Sequence, residues 1–156
     1  MEIKVGKEAP DFTLFNTEKA QISLDSLKEK NVLILFFPLA FTSTCTVELC
    51  NIRDNLSWYQ QVNANVIGIS VDSLFSLKKY KEEQQINFNL LSDFNKDVCS
   101  DYGTLYDVFA YGMKAVSKRA AFIVDKKGIV QYAEILENAS DLPNFEAIQT
   151  KLKEIE

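Results

Sequence analysis

The feature that most constrains the fold is an unbroken apolar run, Val32 to Phe37, that ends at a proline. Strand-forming residues without a polar interruption predict a strand that is buried on both faces, as in a largely parallel sheet. Pro38 ends this strand because proline has no N–H to donate to a sheet ladder. The hydroxyl residues 42–44 then offer N-cap side chains, so we expect a helix to begin there.

This arrangement places Cys45 in the first turn of a helix, at the carboxyl end of a central strand. Open α/β sheets bind their ligands at such a position. The N–H groups of a first turn lack intrahelical partners, and the helix dipole adds partial positive charge beside the sulfur. Both favour the thiolate, which is the nucleophilic form of cysteine. The alternative is that Cys45 is only a small buried hydrophobic residue.

Hydrophobic patterns divide the rest of the chain into alternating strands and helices. The predicted strands are 11–14, 20–24, 32–37, 65–71, 88–91, 119–124 and 129–135. The predicted helices are 44–63, 74–84, 93–102 and 143–155, and a long aromatic loop covers 104–118. This order predicts an α/β fold, a thioredoxin-like three-layer sandwich with a central mixed sheet flanked by helices and an N-terminal β-hairpin extension.

Composition limits the classes of partner and compartment. The 156 residues are 47% hydrophobic and show no repeat or linker, so we expect a single domain over 1–156. A net charge of −5 with scattered basic residues argues against nucleic acid and anionic membrane surfaces as partners. No stretch has the ~18 apolar residues of a membrane span, and the N-terminus is too polar for a signal peptide. Three cysteines do not indicate a disulfide framework, so we expect a cytoplasmic protein.

The chain contains no histidine. This excludes Ser-His and Cys-His catalysis and removes the commonest zinc and iron ligand. We therefore expect neither a metal nor a cofactor. A reactive cysteine must be activated by backbone dipoles, hydroxyl groups or a cation.

Five residues in a fixed order carry a family resemblance. The pattern Pro38-x3-Thr42-x2-Cys45, followed by Glu48 and by Arg119 at the start of R-A-A-F-I-V-D, resembles the peroxiredoxin active-site motif. The N-terminal G-K-E-A-P-D-F belongs to the same pattern, so the resemblance covers essentially the whole chain. F-F-P-L-A-F-T resembles the alkyl hydroperoxide reductase E branch. A second cysteine five residues after the first resembles the Q-type, or bacterioferritin-comigratory, branch.

The resemblance implies a thiol-dependent peroxidase that reduces hydrogen peroxide or organic hydroperoxides. Cys45 would be the peroxidatic cysteine, which becomes a sulfenic acid. Cys50 would be the resolving cysteine that forms an intramolecular disulfide, and a thioredoxin- or glutaredoxin-like protein would reduce it. A homodimer through the active-site face is expected, with a monomer as the alternative. The preferred peroxide and the reductant are left open.

The same resemblance implies roles for the other site residues. The Thr42 hydroxyl would hydrogen-bond the thiolate and the peroxide, and Arg119 would keep the sulfur ionised and stabilise the leaving oxygen. The backbone N–H groups of Thr44 and Cys45 would add donors, Pro38 would limit water access, and Glu48 would orient the arginine. Each residue also has a simpler interpretation: a helix cap for Thr42, a first-turn charge for Glu48, and a surface ion pair for Arg119.

Helix geometry restricts how Cys50 could act. Five residues along an intact helix leave two side chains roughly 140° apart and about 7.5 Å apart along the axis. A disulfide needs Cα atoms within roughly 4.4–6.8 Å. Residues 44–50 must therefore unwind before Cys45 and Cys50 can join. The alternative is that an external thiol resolves the sulfenic acid and Cys50 takes no part.

Other functions remain open at the level of sequence. The runner-up is a thioredoxin-fold thiol–disulfide oxidoreductase without peroxidase activity, although such proteins usually carry C-x-x-C rather than the C-x4-C found here. A non-catalytic interaction domain that uses the aromatic loop 104–118 is the third interpretation. Cys99 matches no motif position and is interpreted as a structural thiol.

Overall fold

The computed structural model describes residues 3–156 and contains one seven-stranded sheet with helices on both faces. The strands are β1 Thr13–Asn16, β2 Gln21–Ser23, β3 Asn31–Phe36, β4 Ala64–Ser70, β5 Asn89–Ser92, β6 Arg119–Val124 and β7 Val130–Leu136. The helices are α1 Leu24–Leu27, α2 Ser43–Asp54, α3 Leu56–Gln61, α4 Leu74–Gln84, α5 Asp97–Asp101 and α6 Phe145–Ile155, and a 3₁₀ helix covers Ala110–Gly112.

The sheet is mixed, with strand order β2-β1-β5-β4-β3-β6-β7. β3, β4 and β5 are parallel to one another. On one side β6 pairs antiparallel with both β3 and β7, and on the other side β1 pairs antiparallel with both β5 and β2. All six residues of β3 are buried, as expected for a strand covered on both faces. The predicted thioredoxin-like fold, with its N-terminal hairpin, is thereby confirmed.

Two hydrophobic clusters lie on opposite faces of the sheet. On one face the core-facing side chains of α2, α3, α4 and α6 pack against alternate residues of β3, with Leu49, Tyr80 and Ile148 fully buried. On the other face α1 and α5 cover the remaining β3 residues, around Phe36 and Tyr102. Alternation of side chains along a strand explains this division. Helix α2, which carries Cys45, is therefore fixed against the sheet along one side.

The predicted helix over 44–63 is wrong in one respect, because the chain breaks it between α2 and α3. The side chain of Asn55 donates to the backbone oxygen of Asn51 at 2.7 Å, and its own φ of −115° lies outside the helical region. An asparagine side chain that bonds nearby backbone competes with the helical ladder. The break lies beyond both Cys45 and Cys50, so these two residues share one continuous helix.

The predicted helix over 93–102 is shorter in the structure. Asp93 precedes α5, and its carboxylate accepts the N–H groups of Val98 and Cys99 at 3.2 and 2.7 Å. Lys96, directly before the helix, has a φ of +70°. Asp93 acts through its side chain as a cap rather than as a helical residue. None of the helices between residues 3 and 156 is long and apolar enough to cross a membrane.

Candidate active site

The site lies where β3 gives way to α2. Pro38 is buried two residues after the end of β3, and the chain turns through Phe41, whose φ is +67°. Thr42 is the N-cap of α2 in an extended conformation, with φ −100° and ψ 151°. Cys45 is the third residue of the helix, so the predicted first-turn position is correct. The first-turn N–H groups of Thr44 and Cys45 have no protein hydrogen-bond partner within residues 3–156.

The Cys45 sulfur is enclosed and lies beside a cation. Its side chain is only 1% exposed, and the Nη1 atom of Arg119 donates to the sulfur at 3.3 Å. These residues are distant in sequence but meet because β6 pairs antiparallel with β3 in a register that places Ala120 opposite Phe36. Arg119 therefore begins β6 beside the carboxyl end of β3. The predicted partners lie together, and the surface ion-pair interpretation of Arg119 is wrong because its side chain is buried.

Arg119 is held by three partners at once. Its Nη1 atom also donates to Glu48 Oε1 at 2.7 Å, and its Nη2 atom donates to the backbone oxygen of Ala139 at 2.9 Å. Burial acts to lower the pKa of Arg119, but the neighbouring Glu48 and Cys45 outweigh it, so its pKa is raised. A guanidinium held in this way is a fixed, permanent positive charge beside the sulfur.

Glu48 is fully buried, and burial raises its pKa to about 7 although Arg119 acts in the opposite direction. Glu134, on β7, adds to the upward shift. The second carboxylate oxygen, Oε2, has no hydrogen-bond partner among the described residues, and neither has Arg119 Nε. One guanidinium thus serves both a carboxylate and a sulfur. An ionised Glu48 and an ionised Cys45 would together exceed the charge of Arg119, and two like charges in one buried site oppose each other.

Thr42 uses its hydroxyl differently from the predicted role. Thr42 Oγ1 donates to the backbone oxygen of Leu39 at 2.7 Å. Because a hydroxyl has one proton, a hydrogen bond donated to the sulfur or to a peroxide requires this proton to turn away from Leu39 O. Sequence reasoning also missed the carbonyl of Ala139 as a partner of Arg119. Backbone carbonyls carry no residue-type signal, and Ala139 lies on a loop after β7 that only the fold brings here.

The remaining cysteines differ sharply in their surroundings. Cys50 is partly exposed, and its sulfur lies 3.7 Å from Gln84 Oε1 on α4. Cys99 is fully buried on the opposite face of the sheet, and burial, followed by the nearby Asp93, raises its pKa strongly. All three cysteines, Cys45 included, are free thiols. A raised pKa keeps Cys99 protonated and unreactive, which supports its interpretation as a structural thiol.

The model of the AhpC/TSA family matches residues 5–133, which is most of the chain. The chain belongs to the AhpC/TSA family. Its relatives include the putative peroxiredoxin bcp of Coxiella burnetii, which is 38% identical over 83% of this chain and 87% of that protein. Peroxiredoxin Bcp of Escherichia coli K12 is 32% identical over 83% of this chain and 84% of its own length.

Among solved structures, peroxidoxin BcpB of Mycobacterium tuberculosis superposes with a TM-score of 0.88 at 27% identity, over 99% of both chains. These likenesses confirm the peroxiredoxin resemblance and its bacterioferritin-comigratory component. The catalytic roles of the individual site residues in this AhpC/TSA protein are still predictions from the family resemblance. The geometry brings Cys45, Glu48 and Arg119 into direct contact, with Thr42 and Thr44 at the N-terminus of the same helix. Pro38 is buried four residues before the N-cap, and Cys50 lies farther along α2.

Proposed function

We propose that this protein is a thiol-dependent peroxidase in which the Cys45 thiolate attacks a hydroperoxide. The observation that carries the proposal is the contact between Cys45 Sγ and Arg119 Nη1, at 3.3 Å, in the first turn of α2. The Arg119 guanidinium and the N-terminus of α2 place positive charge directly beside this buried sulfur, where it can stabilise negative charge during the reaction. Glu48 and the Ala139 carbonyl hold that guanidinium in place.

The first step transfers one oxygen atom from the peroxide to sulfur. The thiolate attacks the nearer oxygen of ROOH, the O–O bond breaks, and the distal oxygen leaves with the electron pair and takes up a proton to become ROH. Cys45 is oxidised to the sulfenic acid, Cys–SOH. Arg119 and the free N–H groups of Thr44 and Cys45 donate to the oxygens on which negative charge develops. Donors that are already aligned stabilise such a transition state without reorganisation.

Cys50 is the proposed resolving residue. Its thiolate attacks the Cys45 sulfenic sulfur, a disulfide forms, and the hydroxyl leaves with a proton as water. Both cysteines lie in the continuous helix α2, so the helix must open between them before this bond can form. Resolution by an external thiol is the competing outcome and requires no opening of α2.

A dithiol protein of the thioredoxin or glutaredoxin type is the proposed electron donor, because it reduces a disulfide by exchange through a mixed disulfide. Such donors operate in the reducing cytoplasm, which is the proposed compartment. The substrate is hydrogen peroxide or an organic hydroperoxide.

The proposed assembly is a dimer through the active-site face. Phe41, Phe75 and Tyr111 are 54%, 67% and 99% exposed, and apolar surface that is exposed in this way favours association. Light scattering at tens of micromolar should give twice the mass of one chain. A mass of one chain in both the reduced and the disulfide form would contradict the dimer.

A coupled assay tests the activity itself. Thioredoxin, its reductase and NADPH are mixed with the protein, and NADPH oxidation is followed with and without hydrogen peroxide or cumene hydroperoxide. Consumption that depends on both the peroxide and Cys45 supports a peroxidase. Reduction of an insulin disulfide in the absence of peroxide, at a rate comparable to that of thioredoxin, would favour the thiol–disulfide oxidoreductase instead.

A further inference from the structure

Tyr80 of α4 contacts residues on both sides of Cys45. Its side chain is fully buried, and its Oη atom lies 2.9 Å from Thr46 Oγ1 in the first turns of α2. Its ring packs edge-on against Phe41, in the turn before the helix, with ring centroids 5.1 Å apart. One side chain from another helix thus touches the chain just before and just after the N-cap and Cys45.

The direction of the hydrogen bond follows from counting protons. Thr46 Oγ1 donates to the backbone oxygen of Thr42 at 2.8 Å. A hydroxyl has one proton, so Thr46 must accept from Tyr80. Burial raises the pKa of Tyr80 to about 12, so the phenol keeps its proton at neutral pH. The result is a chain of donors from Tyr80 through Thr46 to the N-cap carbonyl.

Opening the first turn would break this chain. The backbone N–H of Thr46 also donates to Thr42 O, at 3.0 Å, so both of its bonds to the N-cap are lost together when the turn unwinds. Tyr80 would then hold a buried hydroxyl without its acceptor. A buried donor that loses its partner carries a larger penalty than the net value of one hydrogen bond. The Tyr80 hydroxyl therefore stabilises the wound form of α2 specifically.

The second half of α2 has its own attachment to the end of α4 and to the chain just after it. Arg53 Nη1 donates to the backbone oxygen of Gln84 at 2.6 Å, and Asn87 Nδ2 donates to Arg53 O at 3.2 Å. Between these points and the first turn, Glu48 is bonded to Arg119 and Leu49 is fully buried, whereas Cys50 makes a weak contact with Gln84, at 3.7 Å. Arg53 therefore fixes the end of the segment that can unwind, and Tyr80 holds its beginning.

We propose that Tyr80 is a positioning residue that, through Thr46, keeps the first turn of α2 wound and so sets the rate at which Cys50 reaches the oxidised Cys45. This inference rests on the proposed function, in which Cys50 resolves the sulfenic acid. In that step the Cys50 thiolate attacks Cys45 sulfur, and the sulfenic hydroxyl leaves with a proton as water. A wound helix delays the step and leaves the sulfenic acid open to a second peroxide.

The reaction that competes with disulfide formation is a second oxidation of Cys45. A second peroxide transfers its oxygen to the sulfenic sulfur and leaves as an alcohol or water, which gives the sulfinic acid. Tyr80 thus sets the partition of oxidised Cys45 between the disulfide and the sulfinic form. The Tyr80 hydroxyl is the group that controls this partition, because its hydrogen bond to Thr46 holds the turn. The ring alone, as in phenylalanine, would fill the same space without that bond.

The test is Tyr80→Phe, which keeps the ring and its packing on Phe41 and removes only the hydroxyl. Disulfide formation after a single peroxide turnover should become about 5- to 10-fold faster, because one hydrogen bond no longer opposes unwinding. The rate of the first peroxide reaction should stay within about twofold. The matched control is Tyr59→Phe, which removes a buried phenol from the same core cluster, where Tyr59 Oη accepts a long bond from Gln149, at 3.4 Å. It should change neither rate.

Rapid quenching and peptide mass analysis give both rates and the sulfinic fraction at excess peroxide. A Tyr80→Phe protein whose disulfide forms at the wild-type rate, with the first step intact, would overturn this inference and leave the peroxidase proposal standing. A wild-type protein that never forms the Cys45–Cys50 disulfide would overturn both this inference and resolution by Cys50. Peroxide consumption that does not depend on Cys45 would instead overturn the proposed function itself.

Thr46 offers a second test that does not alter α4. Thr46→Ser keeps the acceptor oxygen and should preserve the slow disulfide step, whereas Thr46→Val removes it and should accelerate the step as Tyr80→Phe does. Amide hydrogen exchange over residues 43–50 of the reduced protein should rise in parallel, by about 5- to 10-fold. Equal exchange in Thr46→Ser and Thr46→Val would contradict the proposed hydrogen bond.

Discussion

Replacement of Glu48 by glutamine should make the stability of this protein less sensitive to pH. The folded environment raises the pKa of Glu48 to about 7 from an ordinary value of 4.5, chiefly by burial and against the effect of Arg119. The folded carboxyl therefore binds its proton more tightly than the unfolded one. Stability contributed by this group is greatest at low pH and falls as the pH rises from about 4.5 to 7.

The magnitude follows from the difference between the two pKa values. Each pKa unit corresponds to about 1.4 kcal/mol, so ionised Glu48 lowers the free energy of unfolding by about 3 kcal/mol above pH 7. About 2 kcal/mol of this loss in the free energy of unfolding occurs as the pH rises from 5.5 to 8. Glutamine has no proton to lose, so Glu48→Gln should gain that amount relative to the parent protein over the same range.

Urea denaturation at several pH values measures the effect, in a Cys45→Ser background so that ionisation of the thiol does not contribute. The control is Glu146→Gln, since Glu146 is exposed on α6 and makes no salt bridge in the part of the chain described by the structure. It should leave the pH dependence unchanged. The quantity to compare is the difference in free energy of unfolding between Glu48→Gln and its parent. If this difference varies by less than about 0.5 kcal/mol from pH 5.5 to 8, Arg119 keeps Glu48 ionised throughout that range.

Three further outcomes follow from the site. Cys45→Ser should abolish rapid peroxide consumption and Cys99→Ser should not, as stopped-flow kinetics will show; the reverse result would refute the assignment. Arg119→Ala should slow the peroxide reaction on the order of 100-fold with the fold retained by circular dichroism, and Arg119→Lys should recover only part of the rate, because lysine lacks the planar set of donors. A near-wild-type rate for the alanine variant would rule out this role. Formation of the Cys45–Cys50 disulfide should alter Trp58 fluorescence and increase amide exchange over 43–50 but not over β3; unchanged exchange would contradict helix opening.

The parts of the fold that were predictable are those set by local pattern. The apolar run before Pro38 defines β3, and β6 occupies the predicted residues 119–124. The hydroxyl residues after Pro38 correctly mark where α2 begins, although the side chain of the N-cap Thr42 makes no cap hydrogen bond and donates to Leu39 O instead. These signals depend only on the side-chain period and on residues that end strands or cap helices.

The errors arise where one side chain bonds the backbone nearby. Asn55 ends α2 through its bond to Asn51, and Asp93 caps α5 instead of joining it. A hydrophobic pattern continues across both positions, so it cannot register these breaks.

The site itself was only partly predictable. Placing Cys45 in a first turn needs only local sequence, whereas the contact with Arg119 depends on the pairing of β3 with β6 and entered through the family resemblance. The packing of α4 on α2, which brings Tyr80 to Thr46, has no local signal at all. Long-range contacts of this kind are decided by how amphipathic faces dock on the sheet.

In the proposed cycle, Cys45 is oxidised first and Cys50 then resolves it. The most direct measurement treats the reduced protein with one equivalent of hydrogen peroxide, quenches it at successive times with an alkylating reagent, and maps the peptides by mass. An early sulfenic acid on Cys45 is expected, replaced by a Cys45–Cys50 disulfide while Cys99 remains free. Oxidation that begins at Cys50 or Cys99, or a persistent Cys45 sulfenic acid beside a Cys50 that is still alkylated, would contradict it.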